Sequence, residues 1–581
     1  MNRSVDSADG DFRRIVSLAL LTILFLVPFS DKAFHVDDPV YVWVAQQIHR
    51  TPLDFYGFEK FWAGTVAPVW ATNENPPGTS YFIAFAAILV GWSERALHLA
   101  FLVPAVGAIL GTYVLAKRTC PYPFFAAITV LVTPAFLISS TQLMCDTLLL
   151  CFWVWGVVLW INGLEQRRIV SLLAAGTVMA VACLIKYPGI NLVLLLFAYS
   201  LCFRRTVGWW MAALMIPIGV LAAYDMYTAS LYGNGHFTSA TRFAASRLEK
   251  THFENGLTAL VFLGGCVSPV FFYLPWLCSG RRLLAFGLVL ILVVGGVPLL
   301  GSLKGLELKI EEGVVWLASI RIGVFACAGG LILGLTAEDL WKSRDSQSLL
   351  LWLWIFGVFA FAGFVNWSIN GRSILPLVPA ACILLMRRIG SGHGMLSFNQ
   401  AHSWVFAVLP AAAFAMMPTY GDYKLANSAR MAVKEISKTY STGTQQLWFR
   451  GQLGFQWYIQ SEGAIPAGPQ LMSSRRGGPL VRRVRTSPLL QSGDLLILPG
   501  NNSNVAIPLP LRPGDELYPA PLGQLGPMLT IAEVRVLSIP VPIFTTTSLE
   551  LGAGFYSDLW GPLPYAIGRV KPELYYVIRI R

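Results

Sequence analysis

The sequence is poor in charged residues. Only 13% of its 581 residues are Asp, Glu, Lys or Arg, whereas 55% are hydrophobic. Soluble domains carry about 25% charged residues, so this composition excludes an ordinary soluble protein and predicts an integral membrane protein. Basic residues are in excess, with a formal net charge of +12. Because the basic pairs flank apolar segments, membrane topology explains the excess, and no nucleic-acid partner is expected.

Cysteine is missing from the C-terminal part of the chain. All nine cysteines lie in or beside apolar segments, and the last is Cys382. This distribution excludes a disulfide framework and a CxxC metal site. The sequence also lacks an HExxH motif, a P-loop and a DxD-type nucleotide-sugar site in a soluble Rossmann-like domain. A mechanism that uses a nucleotide sugar or ATP is therefore not expected.

Apolar runs divide the chain into two regions. Residues 1–417 are dense in long apolar segments, whereas residues 418–581 resemble a globular domain large enough for its own core. The predicted fold is an all-α polytopic membrane module of about 13 transmembrane helices, followed by a small mixed α/β domain. The predicted spans cover residues 15–30, 97–116, 123–140, 144–162, 169–185, 188–203, 207–227, 257–277, 283–300, 314–335, 348–367, 373–387 and 402–417.

A further apolar run, 79–91, decides the topology. It has only about 13 residues and follows Pro76-Pro77-Gly78, which favours an interfacial helix over a crossing. If it does not cross, one face carries all the basic pairs, and the positive-inside rule makes that face cytoplasmic. These pairs are Arg13-Arg14, Lys117-Arg118, Arg167-Arg168, Arg204-Arg205, Arg281-Arg282, Lys342/Arg344 and Arg387-Arg388.

This topology predicts a multi-pass protein of the plasma (inner) membrane. The first span lacks a small-residue cleavage site and is interpreted as a retained helix. Residues 31–96 form a long first external loop, which contains the interfacial helix, and residues 228–256 form another. The C-terminal domain, 418–581, also lies outside the cytoplasm.

Two adjacent carboxylates, Asp37 and Asp38, follow the first span. Charge at the membrane boundary is costly and is therefore usually functional. Asp38 precedes Pro39, which favours a role as N-cap of a helix over 39–50. Asp37 has no such role and lies four residues before Tyr41, close enough for contact if the helical turn extends that far. Asp37 is the preferred chemical carboxylate, but the sequence leaves open which of the two is the base.

Other polar residues are predicted at the same external face. Asp146 begins a span, where helix capping explains it as well as function does. Lys186 lies between two spans, and the ordinary explanation is a lysine that snorkels. The positive-inside rule nevertheless disfavours cations here, so Lys186 and Arg372 favour an anionic partner.

Carboxylates and cations together at one membrane face suggest a definite chemistry. An aspartate can act as general base toward an acceptor hydroxyl. Cations can neutralise a phosphate that departs with negative charge. In a membrane this phosphate belongs to a lipid, so glycosyl transfer from a lipid-phosphate sugar meets all three requirements. The residue types alone also permit other functions.

Five motifs in order resemble one enzyme family. Asp37-Asp38-x-x-Tyr41 resembles the aspartate motif of GT-C glycosyltransferases, in the branch of protein O-mannosyltransferases and aminoarabinose transferases. The resemblance covers roughly residues 1–400. The other four motifs are Glu74-Asn75-Pro76-Pro77-Gly78, Met144-Cys145-Asp146, Leu184-Ile185-Lys186-Tyr187-Pro188-Gly189 and Gly371-Arg372-Ser373-Ile374-Leu375-Pro376-Leu377-Val378-Pro379.

The resemblance implies a GT-C fold, a polyprenyl-phosphate-linked sugar donor and transfer outside the cytoplasm, usually with inversion at the anomeric carbon. It implies that Asp37 is the base or an acceptor-site carboxylate, and that Lys186 and Arg372 hold the lipid phosphate. The residues it implies for the rest of the substrate-binding cavity are Tyr41, Glu74, Asn75, Asp146 and His252.

Two departures from the family pattern leave the acceptor open. Asp38 stands where Glu is commoner, and Asn75 stands where relatives often have Lys or His. The acceptor is a protein, a lipid or a polysaccharide. No cofactor is implied with certainty: a divalent metal ion stays open, and no metal ligand is predicted.

The C-terminal domain is predicted to have an accessory or acceptor-selecting role. Its strands are expected at 445–449, 494–498, 529–538 and 574–580. An arginine cluster at 475–485 suits anionic lipid headgroups or an acidic acceptor, although a solvated loop explains it as well. The aromatic segment 554–562 is expected to pack back onto the membrane module near the active face.

Two other functions compete with the transferase. A transporter or flippase for a lipid-linked glycan also needs many helices and interior charges. Such proteins often show internal repeats with broken helices near mid-membrane, and none is evident in this sequence. An inactive family member that acts as an assembly partner is the third hypothesis, against which Asp37, Lys186 and Arg372 argue.

Overall fold

The computed structural model describes most of the chain. The described residues are 2–247, 252–310, 313–392, 394–396, 403–440, 445–468, 470–473, 480–483, 490–500, 512–517 and 529–581.

Helices predominate in the described residues. The α-helices are Asn2–Leu26, Asp38–Arg50, Val69–Thr72, Gly78–Val90, Glu94–Ala100, Leu102–Thr119, Pro123–Leu131, Pro134–Ser140, Cys145–Gln166, Ile169–Ile185, Asn191–Arg204, Met211–Tyr232, His236–Arg247, His252–Cys266, Pro269–Phe272, Leu274–Leu277, Gly280–Gly296, Trp316–Ser343, Ser346–Ala360, Gly371–Ile374, Val378–Gly390, Ser403–Tyr440 and Leu453–Ser461. They are joined or extended by the 3-10 helices Val27–Phe29, Tyr187–Ile190, Val297–Leu300 and Leu375–Leu377 and by the π-helix Phe361–Val365.

The apolar helices make the chain an integral multi-pass membrane protein. Nine helices of the described chain are long and apolar enough to cross a membrane, or ten if the bent pair Pro123–Leu131 and Pro134–Ser140 counts as one span. The other three predicted spans, 169–185, 257–277 and 402–417, correspond to a 17-residue helix, to three short helices and to the start of a longer one. The predicted helical architecture is therefore confirmed, whereas the count of 13 crossings is not.

The run predicted to be interfacial is the helix Gly78–Val90, which has 13 residues. At 1.5 Å per residue it measures about 20 Å, less than the roughly 30 Å of a bilayer's hydrocarbon core. One face is buried through Ile83 and Ala87, while Phe85, Ile88 and other apolar side chains are exposed. An apolar face without protein cover suits a helix that lies against lipid.

Charged residues collect at the two ends of the bundle. Asp146 lies in the first turn of Cys145–Gln166 and Glu165 in its last, so they are about 29 Å apart at about 1.5 Å per residue. At the Glu165 end the basic pairs form salt bridges with acidic side chains. Arg118 pairs with Glu165 and accepts a hydrogen bond at its carbonyl oxygen from Gln347, while Arg387 pairs with Asp345 at 3.1 Å.

A mixed sheet organises the C-terminal part. Its six strands lie in the spatial order Glu516–Leu517, Leu529–Ile539, Glu573–Ile580, Leu495–Pro499, Leu447–Phe449 and Ile465–Pro466. The four strands predicted from sequence are all present. A four-stranded sheet joins Glu59–Trp62 and Thr65–Pro68 to Gln470–Ser473 and Leu480–Arg483. Pairs of two-residue strands join Phe544–Thr545 to Ala566–Ile567, Thr547–Ser548 to Ala553–Gly554, Ser302–Leu303 to Leu306–Glu307 and Lys309–Ile310 to Gly313–Val314.

The long helix Ser403–Tyr440 connects the two regions. It continues without interruption through residue 417, where the domain boundary is predicted. Its second half packs Ala426 and Val433 against Ile497 and Val577 of the six-stranded sheet. The sheet is thus fixed to the membrane module by a continuous helix.

Candidate active site

The turn before the helix Asp38–Arg50 gives the two adjacent carboxylates different environments. Asp37, not Asp38, occupies the N-cap position, and within the described residues its side chain makes no capping hydrogen bond. The prediction that Asp38 is the N-cap is therefore wrong. The Asp38 carboxylate accepts the backbone N–H of His35 at 3.0 Å and that of Leu143 at 2.9 Å, and its side chain is fully buried. Asp38 thus ties this turn to the segment before Asp146.

The turn is strained at Val36. This β-branched residue has φ +49°, a left-handed conformation that is a genuine outlier for its type. Such strain persists only where the surroundings enforce it, and it clusters at functional sites. Here the buried bonds of Asp38 hold the turn, and Asp37 follows directly.

Four charged residues from distant segments meet beside this turn. The Lys186 ammonium lies 2.7 Å from Asp146 Oδ1. One Arg372 nitrogen, Nη1, lies 3.4 Å from Asp37 Oδ2 and 3.9 Å from Asp146 Oδ2. Arg372 therefore bridges the two carboxylates, and Lys186 shares one of them.

Local structure explains how each of these side chains is presented. Asp146 lies at a helix N-terminus, where the dipole favours a carboxylate. Lys186 directly follows the helix Ile169–Ile185 in an extended conformation. The next turn folds back closely, since a Cβ on Gly189 would lie 2.6 Å from the Ala182 carbonyl carbon. A larger residue than glycine at 189 would displace the Lys186 turn.

Asp37 is the most accessible of the four charged groups. Its side chain is 24% exposed, against 2% for Asp146, 17% for Lys186 and 15% for Arg372. A group that takes a proton from an incoming molecule must be reachable, and Asp37 meets this requirement better than Asp146 or the fully buried Asp38.

An apolar cavity opens beside the two cations. It is small, and its lining combines Lys186 and Arg372 with mainly apolar side chains. The apolar lining includes Leu149, Trp153, Val358, Phe361 and Pro376. The cavity therefore offers positive charge at one edge and an apolar wall elsewhere.

The other sequence candidates lie around this group. Buried Tyr41 donates its hydroxyl to Cys145 Sγ at 3.1 Å, next to Asp146. The backbone carbonyl of Asn75 accepts the Tyr56 hydroxyl at 2.6 Å. Glu74 is half-buried, and burial raises the pKa of its carboxyl to about 7, although the Lys60 charge lowers it. The His252 side chain lies outside the described residues.

Lys60 is a charged residue that the sequence prediction missed. It lies on the strand Glu59–Trp62 with its ammonium 4.2 Å from the centre of the Trp62 ring, and only 6% of the residue is exposed. Within the described residues Lys60 forms no salt bridge. Burial lowers its pKa to about 8, while Asp37 and Glu74, carboxylates of the site, raise it. A lysine between aromatic residues in a predicted external loop is the signal that could have found it.

His236 is a second missed residue. Its Nε2 lies 2.8 Å from the carbonyl oxygen of Asn73, and its Nδ1 lies 3.1 Å from the Tyr224 hydroxyl. Burial lowers the pKa of His236 to about 4, so the imidazole is neutral at pH 7. His236, in the predicted loop 228–256, therefore adjoins the Glu74-Asn75 motif through Asn73. No cluster of three or more His, Cys, Asp or Glu side chains suited to a metal ion occurs in the described part of the chain.

Sequence comparison identifies a family over part of the chain. Residues 74–230 match the family model "Dolichyl-phosphate-mannose-protein mannosyltransferase". The match includes Glu74, Asn75, Asp146 and Lys186, whereas Asp37 and Arg372 lie outside it. No curated protein matches the sequence significantly.

Solved membrane proteins share low similarity with the structure. The Archaeoglobus fulgidus oligosaccharyltransferase in its apo form has 12% identity and a TM-score of 0.45, covering 79% of this chain and 64% of its own. This chain thus spans somewhat less than two thirds of that relative. ArnT from Cupriavidus metallidurans has 16% identity and a TM-score of 0.40, covering 85% of this chain and 94% of its own. The mycobacterial arabinofuranosyltransferase AftD has 12% identity and a TM-score of 0.39, covering 97% of this chain and 40% of its own.

The match over residues 74–230 agrees with the motifs in order, since three of the five motif elements lie wholly within it. The resemblance predicted from these motifs is thereby confirmed over residues 74–230, where the chain is similar to the dolichyl-phosphate-mannose-protein mannosyltransferases.

Proposed function

We propose that the protein transfers a sugar from a polyprenyl-phosphate-linked donor to an acceptor hydroxyl at the extracytoplasmic face of the membrane. The observation that carries the proposal is the meeting of Asp37, Asp146, Lys186 and Arg372 beside an apolar cavity. A lipid phosphate combines an anion with an apolar chain, and this arrangement complements both.

Lys186 and Arg372 bind the donor phosphate in this proposal. Asp146 pairs with both cations and so orients them. Charge-assisted hydrogen bonds from ammonium and guanidinium groups are the strong kind, and in a site with little water they stabilise negative charge that develops on the leaving phosphate. The apolar side chains beside the two cations contact the start of the donor's isoprenoid chain.

Asp37 is the proposed general base. As the acceptor oxygen attacks the anomeric carbon, its proton passes to the Asp37 carboxylate. The bond between the anomeric carbon and the phosphate oxygen breaks, and its electron pair stays on the phosphate. The products are the glycosylated acceptor, with the anomeric centre inverted, and polyprenyl phosphate.

Lys60 adds a further cation to the proposed site. Lys186 and Arg372 already have carboxylate partners, whereas Lys60 forms no salt bridge within the described residues. A substrate phosphate that approaches Asp37 and Glu74 can therefore bind the Lys60 ammonium, which is near these carboxylates. Asn75 stands where relatives often have a basic residue, so Lys60 supplies the positive charge from a neighbouring hairpin.

The proposal is tested with purified protein in nanodiscs and a panel of polyprenyl-phosphate sugars. Release of polyprenyl phosphate is measured for wild type, Asp37→Asn, Arg372→Met and Lys342→Met. Lys342 lies at the opposite end of the bundle, paired with Glu338 at 2.6 Å, and serves as a charge-matched control. We expect turnover by wild type and Lys342→Met alone. Binding of a donor without turnover, across candidate acceptors, would favour the flippase or the inactive assembly partner.

A further inference from the structure

The arginine of the candidate site is held by a segment nearly 200 residues further along the chain. We infer that the C-terminal segment 553–560 positions Arg372 for phosphate binding, so that the C-terminal region forms part of the active site. This inference rests on the proposed function. The sequence predicts that this aromatic segment packs near the active face, and its contacts with the Arg372 region go beyond that prediction.

The segment pairs with the backbone directly before Arg372. The Gly371 N–H donates to the Phe555 carbonyl at 2.8 Å. The Asp558 N–H donates to the Ile369 carbonyl at 2.8 Å, and the Ile369 N–H donates to Asp558 Oδ1 at 3.0 Å. The hydroxyls of Ser368 and Ser557 lie 2.7 Å apart. The backbone that carries Arg372 is thus bonded on both sides of Asn370.

Arg372 depends on these bonds because it lies in the first turn of its helix. The helical segment begins at Gly371 and continues to Gly390, so the backbone just before it sets where Arg372 starts. Phe555 packs so closely that a Cβ on Gly371 would lie 2.3 Å from its ring. The side chain of Arg372 therefore starts from a backbone whose position the C-terminal segment sets.

Tyr556 contacts the guanidinium itself. The Arg372 Cζ lies 5.8 Å from the centre of the Tyr556 ring, within the range of a cation–π interaction. The Tyr556 hydroxyl donates to Asp422 at 2.8 Å, and Asp422 pairs with the fully buried Lys32. The bond to Asp422 therefore fixes the Tyr556 ring, and the ring faces the Arg372 guanidinium. Tyr556 and Asp558 are positioning residues and do not themselves touch the reacting atoms.

The test is a double-mutant cycle read by binding of polyprenyl phosphate to the full chain in nanodiscs. We expect Tyr556→Leu and Asp558→Ala each to weaken binding by about threefold to tenfold. Tyr556→Phe keeps the ring and should weaken binding less. In an Arg372→Met background, Tyr556→Leu should cause no further loss, since its effect passes through Arg372.

Tyr565→Phe is the matched control. Tyr565 belongs to the same C-terminal part and donates its hydroxyl to the Gly265 carbonyl at 2.9 Å, which anchors the region without touching Arg372. The affinity of Tyr565→Phe for polyprenyl phosphate should stay near that of wild type. Equal losses for Tyr556→Leu with and without Arg372 would overturn the inference. If wild type itself fails to bind polyprenyl phosphate, the proposed function fails, which is a distinct result.

Discussion

At the scale of single residues, Asp37 and Asp38 show that adjacent carboxylates can have separate tasks. Both carboxylate oxygens of Asp38 accept hydrogen bonds from backbone amides, and the residue is fully buried. Asp37 is partly exposed and lies beside Arg372. The first arrangement builds a turn, whereas the second leaves a carboxylate available to a substrate. The roles therefore follow from the partners and not from the residue type.

Amide substitutions separate the two roles. Asp37→Asn removes the proposed base, so kcat should fall at least about 100-fold while the fold is retained. Asp38→Asn cannot accept both amide hydrogens through its NH2 group, and the loss should lower the free energy of unfolding by about 1–3 kcal/mol. Release of polyprenyl phosphate and thermal unfolding measure the two effects. A stable Asp38→Asn without turnover would move the base to Asp38.

The pKa of Lys60 predicts how substrate affinity depends on pH. Because burial lowers this pKa to about 8, the ammonium loses its proton as the pH rises through 8. Affinity for polyprenyl phosphate should then fall by about tenfold, the contribution expected of a hydrogen bond between charged groups. Lys60→Met should bind weakly at pH 7 and lose this step in the profile.

The phosphate of the ligand titrates in the same way with wild type and with Lys60→Met, so its contribution cancels when the two pH profiles are compared. Lys342→Met should retain the wild-type profile, since Lys342 lies at the other end of the bundle. A step at pH 8 that survives in Lys60→Met would assign it to another group and remove Lys60 from the site.

At the scale of secondary-structure elements, the helix Gly78–Val90 buttresses the Lys186 turn. A Cβ on Gly78 would lie 2.4 Å from the Leu184 carbonyl oxygen, two residues before Lys186. The helix that is predicted to lie in the interface and the lysine of the site are thus in direct backbone contact.

Gly78→Ala should displace this contact. The added methyl group meets backbone, which cannot rotate away, so we expect a loss of about 1–3 kcal/mol in stability. Donor affinity should fall too, because Lys186 moves with the turn. Gly287→Ala is the control, since a Cβ there meets nothing within 4 Å and alanine favours a helix. Thermal unfolding and donor binding measure both variants. Wild-type donor affinity in Gly78→Ala would contradict the buttress.

The elements themselves were largely predictable from the sequence, but their contacts were not. Apolar runs and strand patterns depend on neighbouring residues, and they located the helices and the main strands of the C-terminal sheet. The bond from Leu143 to Asp38 spans 105 residues, and that from Gly371 to Phe555 spans more. No local pattern encodes such pairs. The sequence therefore predicts Asp38 as a cap, which is wrong, and it does not single out Lys60 as a neighbour of the site.

At the scale of the whole molecule, the two charged ends of the bundle differ in what their charges do. At the end that carries Glu165, arginine and lysine side chains form salt bridges with exposed or half-buried acids. At the other end Asp37, Asp146, Lys186 and Arg372 are mostly buried and pair with one another. The first is the pattern of a cytoplasmic face under the positive-inside rule, and the second suits a site that receives substrate from the other side.

Cysteine labelling tests this orientation with a matched pair of substitutions. Ser343 lies at the basic end and Ser538 on the C-terminal sheet, and both are exposed. In a Cys202→Ser background, which removes the one cysteine classed as exposed among the described residues, Ser538→Cys should react with a membrane-impermeant maleimide in intact cells. Ser343→Cys should react only after permeabilisation, because the positive-inside rule predicts that the basic end is cytoplasmic. Reaction of Ser343→Cys alone in intact cells would invert the proposed topology and place the candidate site on the cytoplasmic face.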